Sequence, residues 1–168
     1  MELTNLSREE LLELLEIYAK NWLALDGLWF QSVEQELGMD KAMQHNMNVW
    51  RKYTVIEAKR IREFLGLTEY PGLEGLRQAL GLRLYAPLNK VEIILTDNTL
   101  TFKTLTCRVQ NARSRKNLPW HPCKDVGIIE YGEFAKTIDS RIKTTCISCH
   151  PDITDKTCAC IWRFTLEP

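Results

Sequence analysis

The segment KVEIILTDNTLTF, residues 90–102, decides the fold class of this chain. Val91, Ile93 and Leu95 alternate with mostly polar residues, and this period of two is typical of a β-strand with one buried face. The Asp97-Asn98 pair predicts a turn, after which the alternation resumes. The segment therefore predicts a β-hairpin, and it marks the point at which the chain changes from helical to strand periodicity.

Three helices are predicted upstream of the hairpin. Ser7 and Glu10 have the spacing of a capping box, so the first helix is expected to begin there and to run to about Leu37. Apolar spacing predicts a second helix over residues 40–66 and a shorter third helix within residues 71–87. We expect the first two helices to pack as a helical hairpin.

The first helix carries one apolar stripe whose members recur at alternating steps of four and three residues. The stripe consists of Leu11, Leu15, Tyr18, Trp22, Leu25 and Trp29. Trp22, Trp29 and Trp50 of the second helix are predicted to be core residues. The alternative is that these tryptophans line an apolar cavity between the helices and the sheet.

One more helix and two more strands are predicted downstream of the hairpin. A polar, basic connection comes first, and apolar spacing then predicts a helix over residues 124–139. Two β-runs, residues 141–147 and 158–166, complete the chain. The segregated order predicts an α+β fold, in which a helical hairpin and a short helix pack on an antiparallel sheet, with one further helix inserted between β-hairpins.

The length and composition of the chain fit one compact domain. Of its 168 residues, 45% are hydrophobic and 26% are charged, and these fractions exclude a disordered chain and a coiled-coil rod. We expect a single domain over residues 1–168. It comprises a helical layer, residues 1–87, and a cysteine-containing β-α-β part, residues 88–168.

The formal net charge of zero hides two segments of opposite charge. Residues 1–36 hold eight acidic and two basic side chains, whereas residues 103–124 hold six basic and no acidic ones. We interpret the two segments as complementary to each other rather than as a nucleic-acid surface with Trp120 for stacking, so no nucleic-acid partner is predicted. Alternatively, Arg108 and Arg113 bind the carboxylate or phosphate of a ligand, with Trp120 nearby.

Nothing in the chain resembles a signal peptide or a membrane span. Residues 1–10 lack a basic start followed by an apolar run, and no window approaches about 18 consecutive apolar residues. We therefore expect a cytoplasmic protein without a membrane partner, in which thiols stay reduced. The sequence leaves a homodimer open.

All six cysteines lie within residues 107–160, and clustered thiols in a reducing compartment indicate a metal site, a redox group or core packing. The C-x-x-C pair Cys146 and Cys149 and the C-x-C pair Cys158 and Cys160 would form a tetrahedral thiolate site, for which zinc is the preferred metal. An iron–sulfur cluster would use the same ligands. Cys146, Cys149 and His150 also match the C-x-x-C-H motif that attaches c-type haem. Covalent haem is disfavoured here, because such haem is normally attached outside the cytoplasm and the sequence shows no export signal.

Cys123 is the candidate for a reactive, catalytic thiol. It stands at the start of a predicted helix, where the helix dipole favours the thiolate form. His121 is either a nitrogen ligand beside it or a solvated loop residue. The sequence contains no Ser-His-Asp, H-E-x-x-H or phosphate-binding glycine motif.

The sequence resembles a family of uncharacterised prokaryotic cytosolic proteins along almost its whole length. The segments that carry this resemblance are VEQELG (33–38), VWR (49–51), TCRVQNAR (106–113), PCKDVG (122–127), FAKTIDSRI (134–142), CISC (146–149) and CIWRF (160–164). More distantly, the chain is similar to L-2-amino-thiazoline-4-carboxylic acid hydrolase-like proteins and to vinyl-reductase-type ligand-binding domains. His150 and Cys158 depart from the family pattern.

The resemblance implies a set of five cysteines as metal ligands: Cys107, Cys123, Cys146, Cys149 and Cys160. The first functional hypothesis is a sensor-like protein that binds a metal, a small molecule or both at this site. The second, implied by the resemblance, is a hydrolase that acts on a small C–N or C–S substrate through Cys123 or a bound metal, with Arg108 or Arg113 holding its carboxylate. The third is a structural protein with buried thiols and no ligand.

Overall fold

The computed structural model describes residues 3–167, which form five α-helices and four β-strands. After a 3-10 turn at Leu3–Asn5, the elements are α1 (Arg8–Leu37), α2 (Met39–Leu65), α3 (Gly72–Leu80), β1 (Lys90–Leu95), β2 (Thr99–Thr106), α4 (Arg108–Arg115), α5 (Lys124–Ile138), β3 (Ile142–Ser148) and β4 (Cys160–Leu166). This order confirms the α+β class and the hairpin that the segment at residues 90–102 predicts.

The four strands form one antiparallel sheet in the order β1-β2-β4-β3, so β4 lies at its centre. Phe102 of β2 is paired with Trp162 of β4, and both side chains belong to the main core on the face that α5 covers. Gly127 of α5 allows the close approach, because an added Cβ there would lie 2.5 Å from the indole of Trp162. The core therefore lies between the sheet and a helical layer formed by α5 and by α3, which contributes Leu73, Leu76, Ala79 and Leu80.

The helical hairpin of α1 and α2 is present as predicted. The capping box at the start of α1 is formed, since Ser7 N donates to Glu10 Oε2 at 2.8 Å and Glu10 N donates to Ser7 Oγ at 3.2 Å. Gly38 alone joins the two helices, and its φ of 83° favours glycine. The hydroxyl of Thr54 in α2 donates to the Glu130 carbonyl of α5, which connects the hairpin to the rest of the fold.

The structure corrects the prediction that a single helix lies between the two hairpins. The basic connection contains α4, so two helices are inserted there. Apolar spacing fails to reveal α4 because its buried positions are occupied by polar side chains, Gln110 and Arg113, which are held by hydrogen bonds. A search for an apolar stripe does not detect a helix that is fixed in this way.

The prediction that Trp22 and Trp29 lie in the core is also wrong, whereas Trp50 is buried as predicted. The stripe on α1 is largely exposed, although Trp22 stacks on Tyr53 of α2, and Trp29 is 68% exposed. The helix instead uses its neighbouring face, on which Ala19 is buried and Phe30 packs with the cluster that contains Trp50. Within residues 3–167, no helix combines the length and the apolar character that a membrane crossing requires.

Candidate functional site

A cavity of about 470 Å³ lies between α1, α4 and the part of the core formed by α5 and the sheet. Its walls are mostly apolar and include Trp50 of α2, Val109 of α4, Tyr131 of α5 and Trp162 of β4. The volume falls within the range of about 300 to 1,000 Å³ that is typical of small-molecule sites. For Trp50, the structure thus combines burial with the predicted alternative of lining a cavity.

Four of the cysteines line this cavity, because four element ends meet there. Cys107 and Cys123 are the N-cap residues of α4 and α5, Cys149 follows β3, and Cys160 begins β4. The backbone N–H of Lys124 donates to the carbonyl of the residue after Cys149 at 2.8 Å, which holds the start of α5 against the end of β3. The folding of the sheet therefore collects thiols that are far apart in the sequence.

Cys149 lies at the centre of the thiol cluster. A hydrogen bond with Cys123 raises the pKa of the Cys149 thiol, and Cys149 also interacts with Cys160 and Cys146. The hydrogen bond with Cys149, together with burial, likewise raises the pKa of Cys160, and burial raises the pKa of Cys107. These thiols are therefore neutral near pH 7 and present a soft, weakly polar surface to the cavity.

Four cysteines of the predicted metal set, Cys107, Cys123, Cys149 and Cys160, line the cavity, and the fifth, Cys146, interacts with Cys149. Within residues 3–167, however, no group of three or more His, Cys, Asp or Glu side chains is arranged to hold a metal ion. Zinc, an iron–sulfur cluster and haem all stay predictions.

Cys123 is the thiol with polar neighbours. Its Sγ accepts a hydrogen bond from Gln110 Nε2 at 3.2 Å and lies 3.2 Å from Nδ1 of His121. Gln110 also holds the His121 backbone, because its side-chain oxygen accepts from His121 N at 3.0 Å. Gln110 therefore holds both the Cys123 sulfur and the loop that carries His121.

His121 is buried, so its interpretation as a solvated loop residue is wrong. Its ring packs against Phe30 of α1 with ring centroids 4.7 Å apart. Burial and, to a smaller extent, the positive charge of Arg113 lower the pKa of His121 to about 4. The imidazole beside Cys123 is therefore neutral at pH 7 and able to accept a proton.

The two arginines predicted to bind a ligand have different environments. Arg113 is buried, and its two terminal nitrogens each lie 2.7 Å from a carboxylate oxygen of Glu34, while its Nε donates to the Pro119 carbonyl. This ion pair joins α1 to α4 and supports the interpretation that the acidic and basic segments are complementary. Arg108 is exposed and lines the cavity. Trp120 stacks on His150, with ring centroids 5.1 Å apart, instead of lining the cavity.

A buried ionic cluster behind the cavity was missed by the sequence analysis. Arg83 pairs with Glu57 at 3.0 Å and with Glu130 at 2.8 Å, and its guanidinium lies over the ring of Tyr131. Glu130 lines the cavity, and burial raises its pKa although Arg83 opposes the shift. Charged residues at apolar positions of predicted helices were the only available signal, because the three partners are far apart in the sequence.

A comparison with known protein families gives a match over almost the whole chain. The model of a family described as "Family of unknown function (DUF6125)" matches residues 4–166. No curated protein matches the chain. The match agrees with the predicted resemblance to uncharacterised proteins, and it does not support the more distant similarity to hydrolase-like or vinyl-reductase-type proteins, which stays a prediction.

Proposed function

The chain belongs to this family of unknown function, and from the geometry of the cavity we propose that the protein binds a small, largely apolar molecule with one anionic end. The observation that carries the proposal is the cavity of about 470 Å³ with mostly apolar walls. Clefts of this volume with mostly apolar walls and a few polar groups are the usual form of small-molecule sites. A cavity of this size in a small domain therefore supports a binding function.

The charges around the cavity support an anionic group at the exposed end of the ligand. Arg108, Arg115 and Lys116 are exposed lining residues on or next to α4. Asp26 and Glu130 are lining residues farther from solvent, and burial raises the pKa of both carboxyl groups. A negative group is attracted to the first set and repelled by the second, so it is expected at the mouth of the cavity.

Arg108 is the residue proposed to hold this anionic group. The guanidinium of Arg113 is occupied by Glu34 and by the carbonyl of Pro119, whereas Arg108 reaches the cavity from the exposed first turn of α4. Arginine binds carboxylates in a bidentate geometry. The apolar body of the ligand would then contact the aromatic and thiol side chains, and an aromatic body suits this surface best.

Anilinonaphthalene sulfonate tests the proposal, because it combines an aromatic body with an anionic group and fluoresces in apolar sites. We expect saturable binding that Ala112→Trp weakens at least about tenfold by filling the cavity. Ser114→Trp on the same helix is the matched control, since Ser114 is exposed and outside the lining. Equal affinity in both variants, or no binding to the wild type, would refute the proposal.

The role of Arg108 is tested with the same probe. We expect Arg108→Gln to weaken binding about tenfold, because one charge-assisted contact is lost. Arg163→Gln is the control, since Arg163 is exposed on β4 and does not line the cavity. An unchanged affinity in Arg108→Gln would show that the anionic end lies elsewhere.

A second candidate function is thiol-dependent hydrolysis of a small C–N or C–S substrate, and the contact between Cys123 and His121 favours it. In this reaction the thiol proton passes to His121 Nδ1 as the sulfur attacks the electrophilic carbon. The leaving nitrogen or sulfur takes the proton as its bond to carbon breaks. Water then attacks the covalent intermediate, gives one proton to His121 and releases the thiolate, which regains that proton.

The two candidates are separated by Cys123→Ser. If the protein only binds its ligand, this variant should keep its affinity for the fluorescent probe within about threefold, because the change in side-chain volume is small. Thiol chemistry predicts that the same variant loses the covalent adduct formed with a small electrophile, which intact-mass spectrometry detects. An adduct that persists in Cys123→Ser would contradict the second candidate.

A further inference from the structure

The outward stripe of α1 is an unusually large apolar surface. Its six side chains are Leu11, Leu15, Tyr18, Trp22, Leu25 and Trp29, and between 39% and 68% of each is exposed. Taking roughly 200 Å² for a large side chain, the stripe exposes about 650 Å². The largest apolar patch on a typical monomer is about 300 to 600 Å². A surface of this size indicates an interface.

We propose that α1 pairs with α1 of a second copy of the chain as an antiparallel coiled coil. The alternating steps of four and three residues are the seam period of two-stranded coiled coils, in which each side chain inserts between residues of the facing helix. Two such stripes together would bury about 1,300 Å², which lies within the standard range for stable interfaces.

The sizes of the side chains select the antiparallel orientation. A two-fold axis near residue 20 forms three kinds of layer: Leu11 with Trp29, Leu15 with Leu25, and Tyr18 with Trp22. Each tryptophan then meets a different residue of the partner helix. A parallel pair would instead place Trp22 on Trp22 and Trp29 on Trp29, and the leucine layers between them would be too thin to close. The antiparallel contact is self-complementary, as a two-fold dimer requires.

The charges on α1 also favour a second copy over a lipid surface. The first two turns of α1 hold Glu9, Glu10 and Glu13, and anionic headgroups would repel these side chains. Asp26 flanks the stripe, but its carboxylate points away from the facing helix, because it accepts a hydrogen bond from Tyr85 of the same chain. Neutral residues such as Leu14 and Asn21 flank the rest of the seam, so the pairing meets little charge repulsion.

The stripe and the cavity use different faces of α1. Ala24, Gly27 and Gln31 line the cavity, and none of them belongs to the stripe. Pairing through the stripe therefore leaves the cavity accessible, and the inference does not depend on the proposed ligand. Besides the proposed contact with the second copy, Trp22 has a contact within its own chain: it stacks on Tyr53 of α2 with ring centroids 5.9 Å apart.

Sedimentation equilibrium of the full chain tests the pairing. We expect the wild type to be a dimer at micromolar concentration and Leu15→Glu/Leu25→Glu to raise the dissociation constant at least about 100-fold, because four leucines per dimer leave the interface. Ile17→Glu is the matched control, since Ile17 is an exposed apolar residue of α1 outside the stripe. Circular dichroism should show unchanged helicity in all variants, because the substituted residues are exposed in the single chain.

A charge exchange tests the orientation. Leu15→Glu/Leu25→Lys places opposite charges together in an antiparallel dimer and like charges together in a parallel one, so we expect this variant to dimerise more tightly than Leu15→Glu/Leu25→Glu. The proposal is overturned by a monomeric wild type, including one that sediments with lipid vesicles, and by a dimer that survives the double glutamate substitution. If the charge exchange restores nothing, the antiparallel orientation is wrong.

Discussion

Cys123 and His121 both line the cavity, and the Cys123 Sγ lies 3.2 Å from the His121 Nδ1. The thiol is held by the amide of Gln110, and the imidazole is kept neutral by burial against Phe30. Cys149 and Cys160 have raised pKa values, for Cys149 because of its hydrogen bond with Cys123 and for Cys160 because of its hydrogen bond with Cys149 and its burial. One thiol of the cluster is therefore distinguished from the others by its neighbours rather than by its exposure.

Alkylation should reveal this difference. We expect Cys123 to react with iodoacetamide at pH 7 faster than any other cysteine of the native protein, because burial or hydrogen bonds between thiols raise the pKa values of the other five cysteines and hold them in the neutral form. Peptide mass spectrometry after short exposure identifies the modified residue. The first modification should disappear in Cys123→Ser and persist in Cys158→Ser. If Cys149 or Cys160 is modified first, this description of the cluster is wrong.

The burial of His121 should make stability depend on pH. Its pKa is about 4 in the folded chain and about 6.5 in the unfolded chain, so the unfolded state binds a proton first as the pH falls. The free energy of unfolding should therefore be fully present above about pH 6.5 and decrease between pH 6.5 and 4, by up to about 3 kcal/mol.

Urea denaturation at pH 7 and at pH 4 measures the effect of His121. The difference between the two free energies should shrink in His121→Gln and should be unchanged in His45→Gln, because His45 is exposed on α2. Comparing each variant with the wild type cancels the contributions of the acidic residues. Equal pH dependence in all three proteins would mean that His121 does not titrate as its burial implies.

At the scale of elements, α5 sets the geometry of the site, since it carries Cys123 at its start and covers the central strand. Its position depends on Gly127, whose missing side chain lets the helix backbone contact Trp162. The predicted helix over residues 124–139 matches α5 closely because its apolar residues face the sheet. The apolar pattern did not predict that Glu130 of α5 joins a buried ionic cluster, because an isolated acidic side chain on a helix normally lies in solvent.

Alanine substitutions in α5 test this close approach. We expect Gly127→Ala to lower the free energy of unfolding by about 2 kcal/mol, because its methyl group would overlap the Trp162 ring. Gly132→Ala is the control in the same helix, where an added Cβ meets nothing within 4 Å, and it should raise stability by about 0.5 to 1 kcal/mol. Urea denaturation of both variants measures the difference. A stabilised Gly127→Ala would mean that α5 is not held against the sheet at this point.

At the scale of the whole molecule, α1 has two roles on two faces. One face closes the cavity and is held there by the ion pair between Glu34 and Arg113 and by the hydrogen bond from Tyr85 to Asp26. The other face is the exposed stripe that we assign to self-association. Ligand binding and pairing should therefore be separable properties of one helix.

This separation can be measured with variants already described. We expect Leu15→Glu/Leu25→Glu to bind anilinonaphthalene sulfonate with an affinity within about twofold of the wild type, since distant sites contribute independently. Conversely, Ala112→Trp should weaken probe binding and leave the dimer intact. Loss of probe binding in the monomeric variant would show that the second copy completes the cavity.

The sequence by itself determined the elements, the α+β class and the group of cysteines. Apolar periods of 3.6 and 2 residues mark α1, α2, α5 and the hairpin, because each of these elements carries an apolar face. The C-x-x-C motif and the N-cap position of Cys123 pointed to thiols that the fold brings together. The apolar periods did not predict α4, because hydrogen bonds of Gln110 and Arg113, rather than apolar contacts, hold this helix in place.

Only the tertiary structure decided which faces meet. The α1 stripe has the pattern of a core face, yet the chain's own core takes the adjacent face, which bears Ala19 and Phe30. The contact between His121 and Cys123, and the pairing of Arg83 with Glu57 and Glu130, likewise follow from the arrangement of several elements. The physical reason is that periodicity shows that a face is apolar, whereas what covers this face depends on the free energy of packing the whole molecule.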